Sequence, residues 1–159
     1  MPFHRPCRKP SGTGCSTKPT RQSICLDILK IEPDNQEALI TLLLALTDRF
    51  SHELNPAFSR AKEVLNQLSD QFCKAYFGGI IAERRAKVHL ERGGPGSGHA
   101  AYEWLQKAMA AYEQALTSCS PGNQDAILRW NTCARILNEN PHVKPSEAES
   151  GVGMLDSWD

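Results

Sequence analysis

The chain has 159 residues, of which 40% are hydrophobic, so it can form one ordinary domain with a core of its own. Lysine plus arginine and aspartate plus glutamate total 18 each, and the surface as a whole therefore carries no net field that would gather nucleic acid or anionic membrane. The sequence contains no run of about 18 apolar residues, so no membrane-spanning helix is predicted. Pro and polar residues near the N-terminus interrupt any secretory signal, and a cytoplasmic location is the expectation.

Charge and composition divide the chain into three parts. Residues 1–21 contain lysine, arginine and several prolines but no acidic residue, and they are predicted to be a disordered basic arm. Residues 140–159 are rich in Pro, Gly, Ser and acid, and they are predicted to be a disordered acidic tail. Residues 22–139 are predicted to form the folded domain.

The first helix of that domain is predicted from apolar residues at spacings of three and four between Ile24 and Ile31. Pro33 stops this run, because proline lacks the amide and disfavours helical geometry in the residue before it, while Asp34 and Asn35 can cap the next helix. The second helix, over 36–50, is apolar on more than half of its circumference. Such a helix is expected to lie between two neighbours.

The third helix is predicted to begin at Asn55 and Pro56, a cap followed by a first-turn proline, and to run to Leu68. The two turns, at positions 35 and 69, are 34 residues apart, which is the period of a helix-turn-helix repeat. The next unit is longer. Helices over 70–92 and 99–118, joined by the glycine-rich loop 93–98, predict a hairpin that protrudes some 14 Å beyond its neighbours.

The last helix, over 124–137, is predicted to close the domain as a terminal cap. No segment alternates apolar and polar residues for long enough to predict a strand, so the predicted fold class is all-α.

These helix pairs resemble the tetratricopeptide repeat, over roughly residues 22–139. The residue pattern typical of that repeat is matched in two predicted first helices and in one predicted second helix. The resemblance implies antiparallel helix pairs stacked as a short α-solenoid, in which the first helix of each unit lines a concave groove. The matching residues are Ala38, Leu39, Leu42 and Leu46, then Ala126, Ile127, Trp130 and Ala134, and the run Tyr112-Glu113-Gln114-Ala115-Leu116.

The resemblance also implies which residues meet a partner. It suggests a non-catalytic scaffold or adaptor that binds a protein or peptide through apolar burial, with charged groove residues selecting the partner. A self-associated form is a second expectation, since so short a stack leaves apolar faces at its ends. The groove residues implied are Leu44, Asp48, Arg84, Leu128, Arg129 and Thr132.

An alternative function is association with nucleic acid, through the basic arm and the arginine-rich helix 83–92. The more ordinary interpretation of that helix is a solvated face, in which Glu83 and Lys87 pair at four-residue spacing. Nucleic acid is therefore the less favoured partner.

Catalytic and metal-binding sites find little support in the sequence. The loop 93–98 follows a helix and lacks the lysine of a phosphate-binding loop, so it is interpreted as a hairpin tip. His4, Cys7 and Cys15 lack the paired spacing that holds zinc. We expect no cofactor, no metal and mostly free thiols among the six cysteines.

Overall fold

The computed structural model describes residues 20–146, and every regular element in that range is an α-helix. The all-α prediction is confirmed for this part of the chain. Residues 1–19 and 147–159, which hold most of the predicted basic arm and acidic tail, lie outside the described range. The helices are α1 (Arg21–Ile31), α2 (Gln36–Thr47), α3 (Leu54–Asn66), α4 (Gln71–Arg92), α5 (Ser97–Thr117) and α6 (Asp125–Glu139).

Side-chain caps start three of these helices. Oxygens of Thr20, Asn35 and Asp70 each accept the N–H three residues further on, at 3.2, 3.0 and 2.8 Å. Each cap satisfies one of the amide groups that a helix N-terminus leaves without an intrahelical acceptor. The turns before α2 and α4 therefore lie where the sequence predicts them.

Several helix boundaries differ from the prediction, and three of the differences change how a turn is built. α2 ends at Thr47 rather than at residue 50, and the chain turns through 48–53. α3 begins at Leu54, so Asn55 is not its cap, and Pro56 fits the first turn because amides there have no intrahelical partner. α5 begins at Ser97, directly after a loop whose glycines 93, 94 and 96 have φ of 62°, 94° and 76°.

Each helix packs against the next one in the chain, and α2 also contacts α4. The buried apolar side chains form two clusters, to both of which α4 contributes. One cluster, which includes Leu43 and Phe50, lies among α1 to α4. The other lies among α4 to α6 and includes Leu105, together with Val143 from the segment that follows α6.

The α4–α5 hairpin is as long as predicted, but its loop end has neighbours on both sides. α4 has 22 residues and α5 has 21, or roughly 33 and 32 Å at about 1.5 Å per residue. Near the loop, Arg92 donates a 3.2 Å hydrogen bond to the carbonyl of Ser51, between α2 and α3. On the other side, the backbone of His142 lies against Gly98. The loop end of the hairpin is therefore in contact with the segment between α2 and α3 and with the segment after α6, and its protrusion beyond the neighbours stays a prediction.

α4 and α5 pack closely at Gly79. A Cβ built on this glycine would lie 2.4 Å from a ring carbon of Tyr112, which is fully buried. The adjacent Gly78 is different, because a Cβ there meets only a methyl group of Leu65 at an ordinary 3.5 Å. Of these two adjacent glycines, only Gly79 is thus required by packing.

We predict opposite effects for two alanine substitutions that differ by one position. Gly79→Ala should lower the free energy of unfolding by about 1–3 kcal/mol, because the methyl group overlaps a ring that cannot move aside. Gly78→Ala should raise it by up to about 1 kcal/mol, because alanine restricts the unfolded chain and favours helix. Urea titrations followed by circular dichroism measure both changes. Equal destabilisation by the two variants would contradict the assigned close approach.

Candidate functional site

A fully buried carboxylate joins the last three helices. Glu83 of α4 is 0% exposed, and it accepts a 2.7 Å hydrogen bond from the hydroxyl of Tyr112 in α5. Lys87 Nζ, one turn along α4, lies 2.6 Å from Oε1 of Glu83, and a guanidinium nitrogen of Arg129 in α6 lies 3.3 Å from the same oxygen. One side chain therefore collects donors from three helices.

These donors keep Glu83 ionised. Burial by itself would raise the pKa of this carboxyl, but hydrogen bonds from Lys87 and Tyr112, with the charges of Lys87 and Arg129, outweigh burial and hold the pKa below its ordinary value. Burial, reinforced by the neighbouring carboxylate, raises the pKa of Tyr112, which stays a neutral donor. Glu83 is thus an ionised acceptor with three donors, an arrangement suited to holding helices together rather than to transferring protons.

An open groove of about 330 Å³ lies beside this buried carboxylate. Asp48, at the end of α2, forms an ion pair with Arg84 of α4 in the groove. The side chains of Arg84 and Asp48 are 32% and 64% exposed, so the pair is well solvated and contributes little to stability. The groove is lined by Thr47, Asp48, Phe50, Ser51, Arg84, Lys87, Val88, Glu91 and Arg129.

The structure brings together three of the six residues implied by the resemblance. Asp48, Arg84 and Arg129 line the groove and come from α2, α4 and α6. The other three do not line it. Leu44 packs against the second core cluster, Leu128 is 59% exposed, and Thr132 donates its hydroxyl to the carbonyl of Leu128 at 2.9 Å.

The sequence interpretation missed the burial of Glu83. The pair with Lys87 exists as expected, but its carboxylate is buried, so this part of α4 is not the solvated face that the spacing suggested. The helical periodicity of the sequence did contain an indication that Glu83 is buried. Positions 79, 80, 83 and 86 all fall on one buried stripe of α4, and Glu83 is the charged residue within it.

Metal binding, thiol reactivity and membrane insertion are the other properties that the side chains of residues 20–146 bear on. No group of three or more His, Cys, Asp or Glu side chains in this range could hold a metal ion. The four cysteines in the range are free, and burial raises the pKa of Cys73 to about 11 and that of Cys133 to about 12, so both thiols stay protonated. None of the helices described has the length and apolarity needed to cross a membrane.

Comparisons with models of known protein families, with curated proteins and with solved structures found no match to this chain. The groove and the buried carboxylate are therefore interpreted from the chain's own residues.

We predict that Glu83 makes folding stability depend on pH below about 4.5, the ordinary pKa of glutamate. The pKa is lower in the folded protein, so the unfolded chain binds more protons in this range and the free energy of unfolding falls as the pH falls. In Glu83→Gln this contribution is absent, and the decline should be shallower. Urea titrations at a series of pH values between neutral and about pH 3 measure the free energy of unfolding of both proteins.

The matched control is Glu63→Gln, which changes an exposed carboxylate on α3. Its profile should follow that of the unmodified protein. Parallel profiles for all three proteins would contradict the role assigned to Glu83.

A second prediction concerns the hydroxyl that Glu83 accepts. Tyr112→Phe keeps the ring but removes a hydrogen bond to a buried charge, and we expect a loss of about 2 kcal/mol in the free energy of unfolding. Tyr102→Phe, a half-buried tyrosine of the same helix, is the control and should change stability little. Equal losses in both variants would mean that the hydroxyl of Tyr112 does not support Glu83.

Proposed function

We propose that this protein is a scaffold that binds a protein or peptide partner, with its helices stacked in the manner of tetratricopeptide repeats. The observation that carries the proposal is the groove in which Asp48 of α2, Arg84 of α4 and Arg129 of α6 meet. These are alternate helices of the chain. In a stack of helix pairs, alternate helices line one surface, which is where such proteins bind extended partners.

Contacts between successive turns support the stacking. The amide and hydroxyl of Ser69, in the turn before α4, lie 2.9 and 3.2 Å from Oε1 of Gln36, the first residue of α2. The turns that the sequence places one repeat apart are therefore neighbours in space. The contact between α2 and α4 also supports stacking, because each would be the first helix of its pair.

The chemistry of the groove suits a partner with both charged and apolar groups. The ion pair of Asp48 and Arg84 is exposed enough for either charge to exchange its partner at low cost. On α6, Ile127 and Leu128 are 44% and 59% exposed and offer apolar area beside Arg129. Such a combination gives affinity through burial and selects the partner through charge.

Nucleic-acid binding through the arginine-rich part of α4 has less support. Arg84 is paired with Asp48, Arg92 donates to a backbone carbonyl, and Arg85 packs against two aromatic rings. These three side chains do not form a continuous row of free cations for phosphates. The basic arm of the alternative proposal lies outside the described residues.

The groove is tested by two substitutions that leave the core unchanged. Arg84→Glu and Glu91→Lys each reverse a charge that lines the groove. The full chain and both variants serve as bait in a lysate of the source cells, and quantitative mass spectrometry finds proteins retained by the unmodified chain but lost from both variants. We expect the purified partner to bind each variant about tenfold more weakly or worse by calorimetry.

Arg60→Glu is the matched control, since Arg60 is an exposed arginine on α3 away from this groove. It should retain the partner with unchanged affinity. A partner that binds all four proteins equally well would show that the groove is not the binding surface.

A further inference from the structure

A second groove lies between α3 and α5, over the first half of α4. It has a volume of about 450 Å³, larger than the groove at Arg84, and the two grooves share no lining residue. Its floor contains small side chains from α4 and α5, namely Ala75, Gly78, Ala82 and Ala111. Small residues at this spacing leave a trough that larger apolar side chains from another molecule can fill.

The groove carries positive charge that has no ion-pair partner among residues 20–146. Lys62, Lys74 and Lys107 line it, one from each of its three helices, and none of its lining residues is Asp or Glu. Among the ion pairs of residues 20–146, none involves these three lysines. In a chain of zero net charge, this is a local excess of three cations over an apolar floor.

A fourth cation strengthens the field at one end of the groove. The guanidinium of Arg85 lies 4.0 Å from the ring centre of Phe58 and 4.4 Å from that of Trp104, both of which line the groove. Its Nε is buried and has no hydrogen-bond partner among the described residues. Arg85 is thus held in place by aromatic rings, and within the part of the chain that the structure describes it forms no ion pair.

The aromatic residues favour a carboxylate-bearing occupant over a nucleic acid. Single-stranded nucleic acids bind by stacking bases on aromatic faces beside cations. Here Arg85 contacts both rings, and Lys107 Nζ lies 4.3 Å from the ring centre of Trp104. A base would have to displace these cations in order to stack, whereas a carboxylate can approach them where they are.

We propose that this lysine-rimmed groove binds an acidic amphipathic segment of a partner protein. Apolar side chains of the segment fill the trough over Gly78, and its carboxylates face the three lysines. The lining residues of α4 extend from Lys74 to Ala82, about 12 Å along the helix axis, which corresponds to about two turns of a bound helix. The segment therefore presents apolar residues at positions i, i+3 or i+4, and i+7, with acidic residues beside them.

The test is a selection from a phage-displayed library of random peptides, each long enough to form about four helical turns. The full chain is the target. Peptides that also bind the double variant Lys62→Glu/Lys107→Glu are removed, so that the remaining peptides depend on this groove. We expect them to be net acidic, with apolar residues at helical spacing.

A selected peptide, labelled with fluorescein, is then measured by fluorescence anisotropy. Lys62→Glu/Lys107→Glu should weaken binding by about tenfold or more, and added salt should weaken it further. Gly78→Leu, which fills the trough without changing charge, should also weaken binding. Arg60→Glu, a charge reversal on α3 outside the groove, should leave binding unchanged.

Several results would overturn the proposal. Selected peptides could be basic or neutral, or in the anisotropy measurement they could bind Lys62→Glu/Lys107→Glu as tightly as the unmodified chain. Oligothymidylate could bind the groove more tightly than any acidic peptide. A dimer abolished by Lys62→Glu/Lys107→Glu in sedimentation experiments would show that a second copy occupies the groove. Because Arg84 and Glu91 are unchanged throughout, each of these results leaves the separate test of the first groove intact.

Discussion

The arrangement of the last three helices depends on the burial of one ionised carboxylate. Removing a glutamate from water costs several kcal/mol unless the protein replaces its hydration with donors. Glu83 is fully buried, and its donors come from α4, α5 and α6. These helices are therefore confined to positions that bring a hydroxyl, an ammonium and a guanidinium to the same carboxylate. The direction of Arg129, and with it one wall of the first groove, follows from this requirement.

Close packing of α4 and α5 makes that hydrogen bonding possible. Tyr112 reaches Glu83 because Gly79, one turn earlier on α4, leaves space for its ring. Alanines continue the contact on both helices, which lets the backbones approach closely over their length. The close packing of α4 against α5 and the hydrogen bonding of the buried Glu83 carboxylate therefore depend on each other. The fully buried residues that form this contact include Ala86, Ala101, Ala108 and Ala115.

The sequence predicts most of the fold but only part of the site. Helices and their caps follow from local patterns, so the turns at Asn35 and Asp70 lie as expected. Long-range contacts do not follow in this way. Glu83 is 29 residues from Tyr112 and 46 from Arg129, and its spacing from Lys87 is the same in an exposed pair as in a buried one. The lysine-rimmed groove escapes prediction for the same reason, since its three lysines come from three helices.

The two grooves differ in how they distribute charge around the same helix. In the first, three cations lie with Asp48, Glu91 and the buried Glu83, so long-range attraction largely cancels and a proposed partner would be recognised by the positions of individual charges. In the second, three lysines act together without a carboxylate in the lining, so the field extends outward and would speed the approach of an acidic partner. Both surfaces include α4, because it is the helix that contacts α2, α3 and α5. α4 therefore contributes to one charge-balanced groove and one cationic groove through different residues of the same helix.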